Sequence, residues 1–124
     1  MEIKKSSEDY LEMILMLQEK KGFARSIDIA SELGVTKPSV SYAMKRLREN
    51  GYITMGSDGL LSLTETGLQI AGRMYDRHKM LTAFFISIGV PEAVAREDAC
   101  KIEHDLSEES YSAMCRHLGK LADK

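Results

Sequence analysis

The sequence has only two cysteines, Cys100 and Cys115, and no apolar run of the length that crosses a bilayer. Two cysteines do not build a disulfide framework, so in a reducing compartment each is expected to be a buried thiol or a metal ligand. The first ten residues, MEIKKSSEDY, lack the apolar stretch of a signal peptide. We therefore expect a cytoplasmic protein stabilised by packing, a metal or a partner.

The chain is also short for a large enzyme, because 124 residues with 44% hydrophobic and 29% charged content suit one compact unit. A net charge of -2 argues against indiscriminate binding to polyanions. The charge is unevenly spread, however, since residues 36–48 contain Lys37, Lys45, Arg46 and Arg48 and no acid. This local basic strip on an acidic body favours nucleic-acid contact through one element and cation binding elsewhere.

Apolar periodicity and capping signals predict three helices in the first half of the chain. The first helix is expected to be capped by Ser6 or Ser7 and closed by Gly22. The second begins with Ser26 as its cap, and the third follows a glycine turn and is entered at Thr36. Two short helices joined by a glycine turn are typical of a helix-turn-helix.

Two strands are predicted next, at residues 52–55 and 60–63, around the hairpin turn signal of residues 56–59 (GSDG). Three further helices follow: from the cap Thr64 to about Ile88, from Pro91 to about Leu106, and from Ser107 onward. The predicted fold is mainly α with a small β wing. A winged helix-turn-helix DNA-binding domain is expected over residues 1–64, and an all-helical metal-binding and dimerisation domain over residues 65–124.

The outer face of the third helix carries hydroxyl, aromatic and basic side chains that suit contact with DNA. The candidate DNA-binding residues are Arg25, Ser26, Thr36, Pro38, Ser39, Ser41, Tyr42, Lys45 and Arg46. No Asn, Gln or Arg stands at the start of this helix to make a bidentate base contact, so DNA shape and methyl contacts are expected to supply much of the specificity. The alternative is a solvated surface helix, but the adjacent wing favours DNA binding.

Three predicted helices also offer metal-ligating side chains that point inward. The first helix supplies two carboxylates three residues apart, the fourth supplies an imidazole, and the fifth supplies a thiol, a carboxylate and an imidazole at i, i+3 and i+4. In chain order these are Asp9, Glu12, His78, Cys100, Glu103 and His104. Carboxylate, imidazole and thiolate together suit a divalent transition metal better than Mg²⁺ or Ca²⁺.

Each of these residues has a purely structural interpretation. Asp9 and Glu12 could be acids favoured by the helix dipole, His78 a core histidine, and Cys100 a small buried hydrophobe. Those interpretations do not explain why donors on three helices accompany a winged helix. We therefore predict metal binding from the set as a whole.

Several motifs resemble the DtxR/MntR family of metal-dependent transcriptional repressors, and the resemblance covers essentially the whole chain. The most specific is Glu103-His104-Asp105-Leu106-Ser107. The others are Glu8-Asp9-Tyr10-Leu11-Glu12, Asp28-Ile29-Ala30, Leu33-Gly34-Val35, Pro38-Ser39-Val40, Leu63-Thr64-Glu65-Thr66-Gly67 and Arg77-His78-Lys79. The resemblance implies a homodimer that binds a palindromic operator when loaded with Mn²⁺ or Fe²⁺. A chain of this length resembles the two-domain, manganese-regulator branch, which lacks the small β-barrel domain of other members.

Carried over by position, all six candidate ligands match the principal ligand positions of that family. The carboxylates Asp9 and Glu12 resemble the manganese-sensing branch, whereas Cys100 resembles the iron-sensing branch. Thr82 and Arg96 stand where the iron-sensing branch has an ancillary Glu and His, which argues against that second site in its iron form. We expect Mn²⁺ as the cofactor, with Fe²⁺ as the alternative.

The resulting prediction is a metal-dependent repressor of metal-homeostasis genes rather than an enzyme. Surplus apolar residues in the last helices are assigned in part to a dimer interface: Phe84, Phe85, Ile86, Ile88, Val94 and Leu118. One alternative is a winged-helix regulator that senses a small molecule or no effector. Another is a metal hydrolase. Two features argue against a hydrolase: the sequence has no phosphate-cradling loop, and it has too many candidate ligands to leave a clearly open position on the metal.

Overall fold

The computed structural model describes residues 5–122, with side chains over residues 6–118. Residues 1–4 and 123–124, which the two expected domains include, lie outside that range. The elements, in chain order, are α1 (Lys5–Lys21), α2 (Ser26–Leu33), α3 (Lys37–Glu49), β1 (Ile53–Met55), β2 (Leu61–Leu63), α4 (Glu65–Ser87), α5 (Glu92–Ile102) and α6 (Glu108–Ala122). This order agrees with the predicted class, mainly α with a small β wing.

The chain divides into two compact units, one ending at Tyr75 and the other beginning at Asp76. The division falls within α4, so this helix contributes residues to both units. The expected domain boundary at residue 64 stays a prediction. Although α4 is 23 residues long, no helix in the described part of the chain is apolar enough over sufficient length to cross a membrane.

The first unit is built around the apolar stripe of α1. Leu11, Ile14 and Leu17 are at most 1% exposed, as the spacing of one helix face predicts. The other members of this core come from the next helices and the hairpin: Ala24, Ile29, Ala30, Val40, Met44, Leu47, Ile53, Leu61 and Ala71. One core therefore holds the helix-turn-helix and the hairpin together.

The hairpin is an antiparallel pair in which Ile53 lies opposite Leu63 and Met55 lies opposite Leu61. Both strands begin one residue later than predicted. The reason is that the Tyr52 N–H donates to the Leu47 carbonyl at the end of α3, and the Leu60 N–H donates to the Asp58 carboxylate within the turn.

Three of the five predicted helix caps are confirmed. Thr36, Thr64 and Ser107 each accept a hydrogen bond from the backbone N–H three residues on, at 3.3, 3.2 and 3.1 Å. Ser26 is instead the first residue of α2, whose cap is Arg25 without a side-chain hydrogen bond, because the Arg25 carbonyl already accepts from Asp28 and Ile29. The prediction that Ser6 or Ser7 caps α1 is also wrong, since α1 begins at Lys5 and both serines lie in its first turn.

The turn between α2 and α3 requires Gly34, whose φ of 66° is left-handed. The N–H groups of Gly34 and Val35 both donate to the Ala30 carbonyl, which closes α2 and turns the chain sharply. Thr36 then caps α3 and Pro38 stands in its first turn, where a missing N–H is tolerated. These contacts fix the direction of α3 against α2.

The second unit has a smaller apolar centre than the first. Leu81, Ala95 and Ala99 are fully buried, and the other two buried residues of this unit among those described are the charged Arg77 and Glu103. α5 ends at Ile102, four residues earlier than predicted, so Glu103 and His104 lie in the turn after the helix. Glu103 keeps a helical backbone conformation and its N–H still donates to Ala99, which preserves its side-chain direction.

Candidate functional site

The exposed surface of α3 carries most of the predicted DNA-binding residues. Seven of them are exposed: Thr36, Pro38, Ser39, Ser41, Tyr42, Lys45 and Arg46. The inner positions Val40, Met44 and Leu47 are at most 4% exposed and anchor the helix in the core. The burial pattern therefore separates one packed face from one solvent-exposed face, which a recognition helix requires.

Two of these polar side chains, Thr36 and Ser39, form a hydrogen bond with each other. The Thr36 hydroxyl donates to Ser39 Oγ at 2.8 Å while accepting the Ser39 N–H, so both side chains take part in the cap of α3. The Ser39 hydroxyl proton is left to donate outward. Hydroxyls held close to the helix end in this way are well suited to backbone phosphate contacts.

Tyr42 and Arg46 form a pair one turn apart on the same face of α3. The Arg46 guanidinium donates to the Tyr42 hydroxyl at 3.3 Å and lies 5.9 Å from the ring centroid. Tyr42 is 63% exposed, which is high for an aromatic side chain. The pair presents an oriented ring edge beside a positive charge, a combination that suits contact with a thymine methyl and a neighbouring phosphate.

Arg25 and Ser26 lie at the start of α2, away from the helix that carries the other candidates. Arg25 is exposed and its guanidinium lies 5.9 Å from the ring centroid of Phe23, whereas Ser26 is half-buried. The α2 N-terminus also presents backbone N–H groups, a feature that favours phosphate oxygens. The prediction that Arg25 and Ser26 bind DNA stays a prediction.

The first unit brings two of the candidate metal ligands together. Asp9 and Glu12 lie three residues apart on one side of α1, and each offers a carboxylate oxygen within 4.8 Å of the other. Glu12 is only 4% exposed, which is unusual for an acid. Burial of the Glu12 carboxylate beside that of the half-buried Asp9 is electrostatically costly unless positive charge compensates it.

The second unit brings together His78, Glu103 and His104. Glu103 is fully buried, its Oε2 lies 3.1 Å from His78 Nδ1, and its Oε1 lies 3.4 Å from His104 Nε2. One carboxylate is therefore contacted by two imidazoles, one from α4 and one from the turn after α5. Cys100, the remaining candidate on α5, is exposed.

Sequence reasoning missed Arg77, which lies beside His78 on α4. Its guanidinium is buried and donates to the carbonyls of Glu103 and Leu106, at 3.0 and 2.6 Å, and to Glu108 Oε2 at 3.0 Å. It also lies 5.1 Å from the ring centroid of Tyr111. Burial raises the pKa of Tyr111 to about 12, with a further contribution from its hydrogen bond with Cys115, so this ring stays neutral. The motif Arg77-His78-Lys79 includes this residue, but nothing in the sequence indicates which carbonyl groups its guanidinium binds.

The chemistry of these donors fits a divalent transition metal. Carboxylates and imidazoles suit Mn²⁺ and Fe²⁺, and histidine nitrogens are seldom used by Mg²⁺ or Ca²⁺. Each unit contributes at least one donor that is almost fully buried, Glu12 in the first and Glu103 in the second. Ionised side chains are seldom buried to this degree unless they are paired or coordinate a metal.

A winged helix-turn-helix with an exposed basic recognition helix, joined to a helical unit rich in metal donors, defines the class of metal-dependent DNA-binding regulators. Residues 2–59 match the family described as iron dependent repressor, N-terminal DNA binding domain, and residues 64–124 match the iron dependent repressor metal binding and dimerisation domain. The chain belongs to the iron-dependent repressor family. This confirms the family and the fold class that the sequence indicated, and its members are regulators rather than enzymes.

Individual relatives agree with this assignment. The chain is 38% identical to transcriptional regulator MntR of Escherichia coli over 106 residues, which cover 86% of this chain and 68% of the relative. Among solved structures it is similar to IdeR of T. acidophilum, with 28% identity and a TM-score of 0.81, covering 96% of this chain and 55% of that one. It is also similar to a manganese-dependent transcriptional repressor in complex with manganese, with 26% identity and a TM-score of 0.83, covering 91% and 52%. The chain thus spans about half the length of these solved repressors.

Proposed function

We propose that this chain is a cytoplasmic repressor of metal-homeostasis genes that binds a palindromic operator as a homodimer when loaded with Mn²⁺. Fe²⁺ is the alternative metal. The observation that carries the proposal is the fully buried carboxylate of Glu103, which is contacted by His78 and His104. All three residues lie in the part of the chain that matches the family's metal binding and dimerisation domain. The similarity to a repressor solved with manganese favours Mn²⁺ over Fe²⁺.

The proposed ligands come from both units. Asp9 and Glu12 on α1 would hold the ion together with His78, Cys100, Glu103 and His104. Two of the three carboxylates in this set are nearly or fully buried, so a divalent ion would supply positive charge that offsets the cost of burying each of them. The exposure of Cys100 makes it the most peripheral member of the set. A set dominated by oxygen and nitrogen donors suits Mn²⁺.

Metal occupancy would regulate DNA binding through the restraint that shared ligands impose. Because α1 packs in the core that also holds α3, anchoring Asp9 and Glu12 to residues of the second unit would restrict the recognition helix. A dimer must present two recognition helices about 34 Å apart, one helical turn of DNA, to bind a palindrome. Restricting the helix in each protomer would favour that spacing over others.

The second unit would provide the dimer interface. Ile86, Ile88, Val94 and Ile102 are 45%, 63%, 46% and 37% exposed, which is a large apolar area for a unit with so small a buried centre. Phe84 and Phe85 of the same unit are half-buried, with ring centroids 6.0 Å apart in an edge-to-face arrangement. Apolar side chains in this number on one unit suit a two-fold interface.

Calorimetric titration of anaerobic, chelator-treated protein with Mn²⁺ and with Fe²⁺ tests the metal site. We expect saturable uptake of both ions and at least a tenfold loss of affinity in Glu103→Gln, which keeps the shape of the side chain and removes its charge. Glu97→Gln is the matched control, because Glu97 is an exposed acid on α5 that pairs with Lys101. No uptake by the wild-type chain would favour a regulator that senses a small molecule or no effector.

Operator binding is tested with duplexes selected from a random pool in the presence of Mn²⁺. We expect selected sites to be palindromic, and we expect their affinity in a gel-shift titration to fall when a chelator removes the metal. Equal affinity with and without Mn²⁺ would contradict the proposed regulation even if DNA binding were strong.

A further inference from the structure

We propose that Arg77 is a positioning residue for the metal ligands: it fixes the turn that carries Glu103 and His104, so that their side chains are held in place before metal binds. This inference rests on the proposed function, since it concerns residues that are ligands only under that proposal. Arg77 itself is not proposed as a ligand, because a guanidinium stays protonated and has no acceptor.

Arg77 and His78 are consecutive residues of α4 that hold the same glutamate in different ways. Arg77 Nη1 donates to the main-chain carbonyl of Glu103, and His78 Nδ1 lies 3.1 Å from its carboxylate. The Glu103 N–H donates to Ala99, so this residue is restrained at its backbone N–H, its carbonyl and its side chain. Few positions for the carboxylate are compatible with all three contacts.

The same guanidinium also closes the far end of the turn. Nη1 donates to the Leu106 carbonyl at 2.6 Å, and Nη2 donates to Glu108 at the start of α6. The two carbonyls bound by Nη1 stand on either side of His104 and Asp105. One side chain on α4 therefore fixes both ends of the segment that presents the His104 imidazole, and charge-assisted hydrogen bonds of this kind are about twice as strong as neutral ones.

The burial of the Arg77 guanidinium carries a cost in stability that the packing of this unit does not explain. Arg77 is 5% exposed, and its Nε is buried without a hydrogen-bond partner among the residues that the structure describes. A buried donor left unsatisfied costs about 1–3 kcal/mol. The guanidinium is thus oriented for the carbonyls of Glu103 and Leu106 at the expense of its own third donor site, as expected where geometry at a site matters more than maximal stability.

Substitution of Arg77 separates this role from a merely structural one. Arg77→Lys keeps the charge and the apolar stem but loses the planar fork, and Arg77→Gln loses both charge and reach. Arg116→Gln is the control, since Arg116 is an exposed arginine on α6 of the same unit. Co²⁺ serves as the probe, because its visible absorption spectrum reports the geometry of its ligands, and thermal melting of the metal-free proteins reports folding.

We expect wild type and Arg116→Gln to give the same Co²⁺ affinity and spectrum. Arg77→Lys should remain folded, bind Co²⁺ about 10- to 100-fold more weakly and show an altered spectrum, and Arg77→Gln should be weaker still. A lowered melting temperature with unchanged affinity and spectrum would overturn the inference, and so would loss of folding in both Arg77 variants, which would assign Arg77 to the fold. Failure of the wild-type chain to bind Co²⁺ or Mn²⁺ would instead overturn the proposed function.

Discussion

At the scale of single residues, the polar side chains of α3 form two groups that are expected to contact DNA in different ways. Thr36 and Ser39 are short side chains that hydrogen-bond to each other at the helix N-terminus, so they suit only phosphates that lie close to that end. Lys45, Arg46 and Tyr42 are exposed along the helix and extend further into solvent. Phosphate contact by long basic side chains, together with apolar contact by the Tyr42 ring, is therefore expected to dominate over base readout by the hydroxyls.

Replacement of Lys45 by Ala should weaken DNA binding by a similar factor on every sequence. A lysine that neutralises one phosphate contributes about one unit to the slope of log affinity against log salt concentration. We therefore expect the slope for the variant to be shallower by about one, as measured by fluorescence anisotropy at several salt concentrations. Lys101→Ala removes the same charge from α5, where Lys101 pairs with Glu97, and should leave the slope unchanged. A loss confined to one operator sequence would indicate base contact instead.

At the scale of elements, α4 approaches the hairpin so closely that only glycine fits at the contact. Gly67 is buried, and a Cβ atom there would collide with the Tyr52 carbonyl at the start of the wing. That carbonyl also accepts the Thr64 N–H, and the Thr64 hydroxyl donates to the Gly51 carbonyl at 2.7 Å. The beginning of α4 is thus attached to the end of α3 and to the wing by backbone contacts that a side chain would disrupt.

Two alanine substitutions in α4 should have opposite effects on stability. Gly67→Ala introduces overlap with backbone that cannot move aside, so we expect it to lower the free energy of unfolding by about 1–3 kcal/mol or more. Gly72→Ala, in the same helix, meets nothing within 4 Å and should raise that free energy by about 0.5–1 kcal/mol. Urea denaturation followed by circular dichroism measures both. A stable Gly67→Ala protein would contradict the close approach of α4 to the wing.

Local sequence signals predicted most elements because the residues that define them act locally. Thr36, Thr64 and Ser107 cap their helices through bonds to residues three positions away, and Gly34 ends α2 by its own backbone conformation. The end of α5 was missed because the sequence from Glu103 to Leu106 contains no helix breaker. The Arg77 side chain binds the Glu103 and Leu106 carbonyls from 26 and 29 residues away, and no local pattern shows such a contact.

The same limit applied to the metal donors. A three-residue spacing brings Asp9 to Glu12, and Glu103 and His104 are consecutive, so each pair lies on one short stretch of backbone. The pairing of His78 with Glu103 joins α4 to the turn after α5. The sequence predicts only that the His78 side chain points inward, and it does not predict which residue His78 contacts. The sequence does not indicate the role of Arg77, because that role depends on carbonyl groups whose positions only the folded chain defines.

At the scale of the whole molecule, the proposed dimer predicts that an exposed isoleucine in the second unit matters for assembly. We expect Ile88→Glu to sediment as a monomer at micromolar concentration and to lose affinity for a palindromic operator, while its metal affinity is retained. Burying a charge in an apolar interface is strongly unfavourable. Ile27→Glu is the matched control, because Ile27 on α2 is 55% exposed against 63% for Ile88 and should leave the dimer intact. A dimeric Ile88→Glu protein would place the interface elsewhere.

Coupling between metal and DNA must act equally in both directions if the ion regulates operator affinity by binding. Linkage requires that the factor by which Mn²⁺ tightens operator binding equals the factor by which the operator tightens Mn²⁺ binding. For a typical coupling free energy of about 1–3 kcal/mol, both factors should lie between roughly 5 and 150. Calorimetric titration of Mn²⁺ into the protein alone and into its complex with a saturating operator duplex measures one factor, and gel-shift titration with and without Mn²⁺ measures the other. In Lys45→Ala both affinities for DNA should fall while their ratio stays the same, because a phosphate contact by this exposed lysine is expected in either state. At a Mn²⁺ concentration that saturates the wild type but not Glu103→Gln, the effect of added Mn²⁺ on the operator affinity of the variant should shrink toward a factor of one, because less of the variant carries the ion.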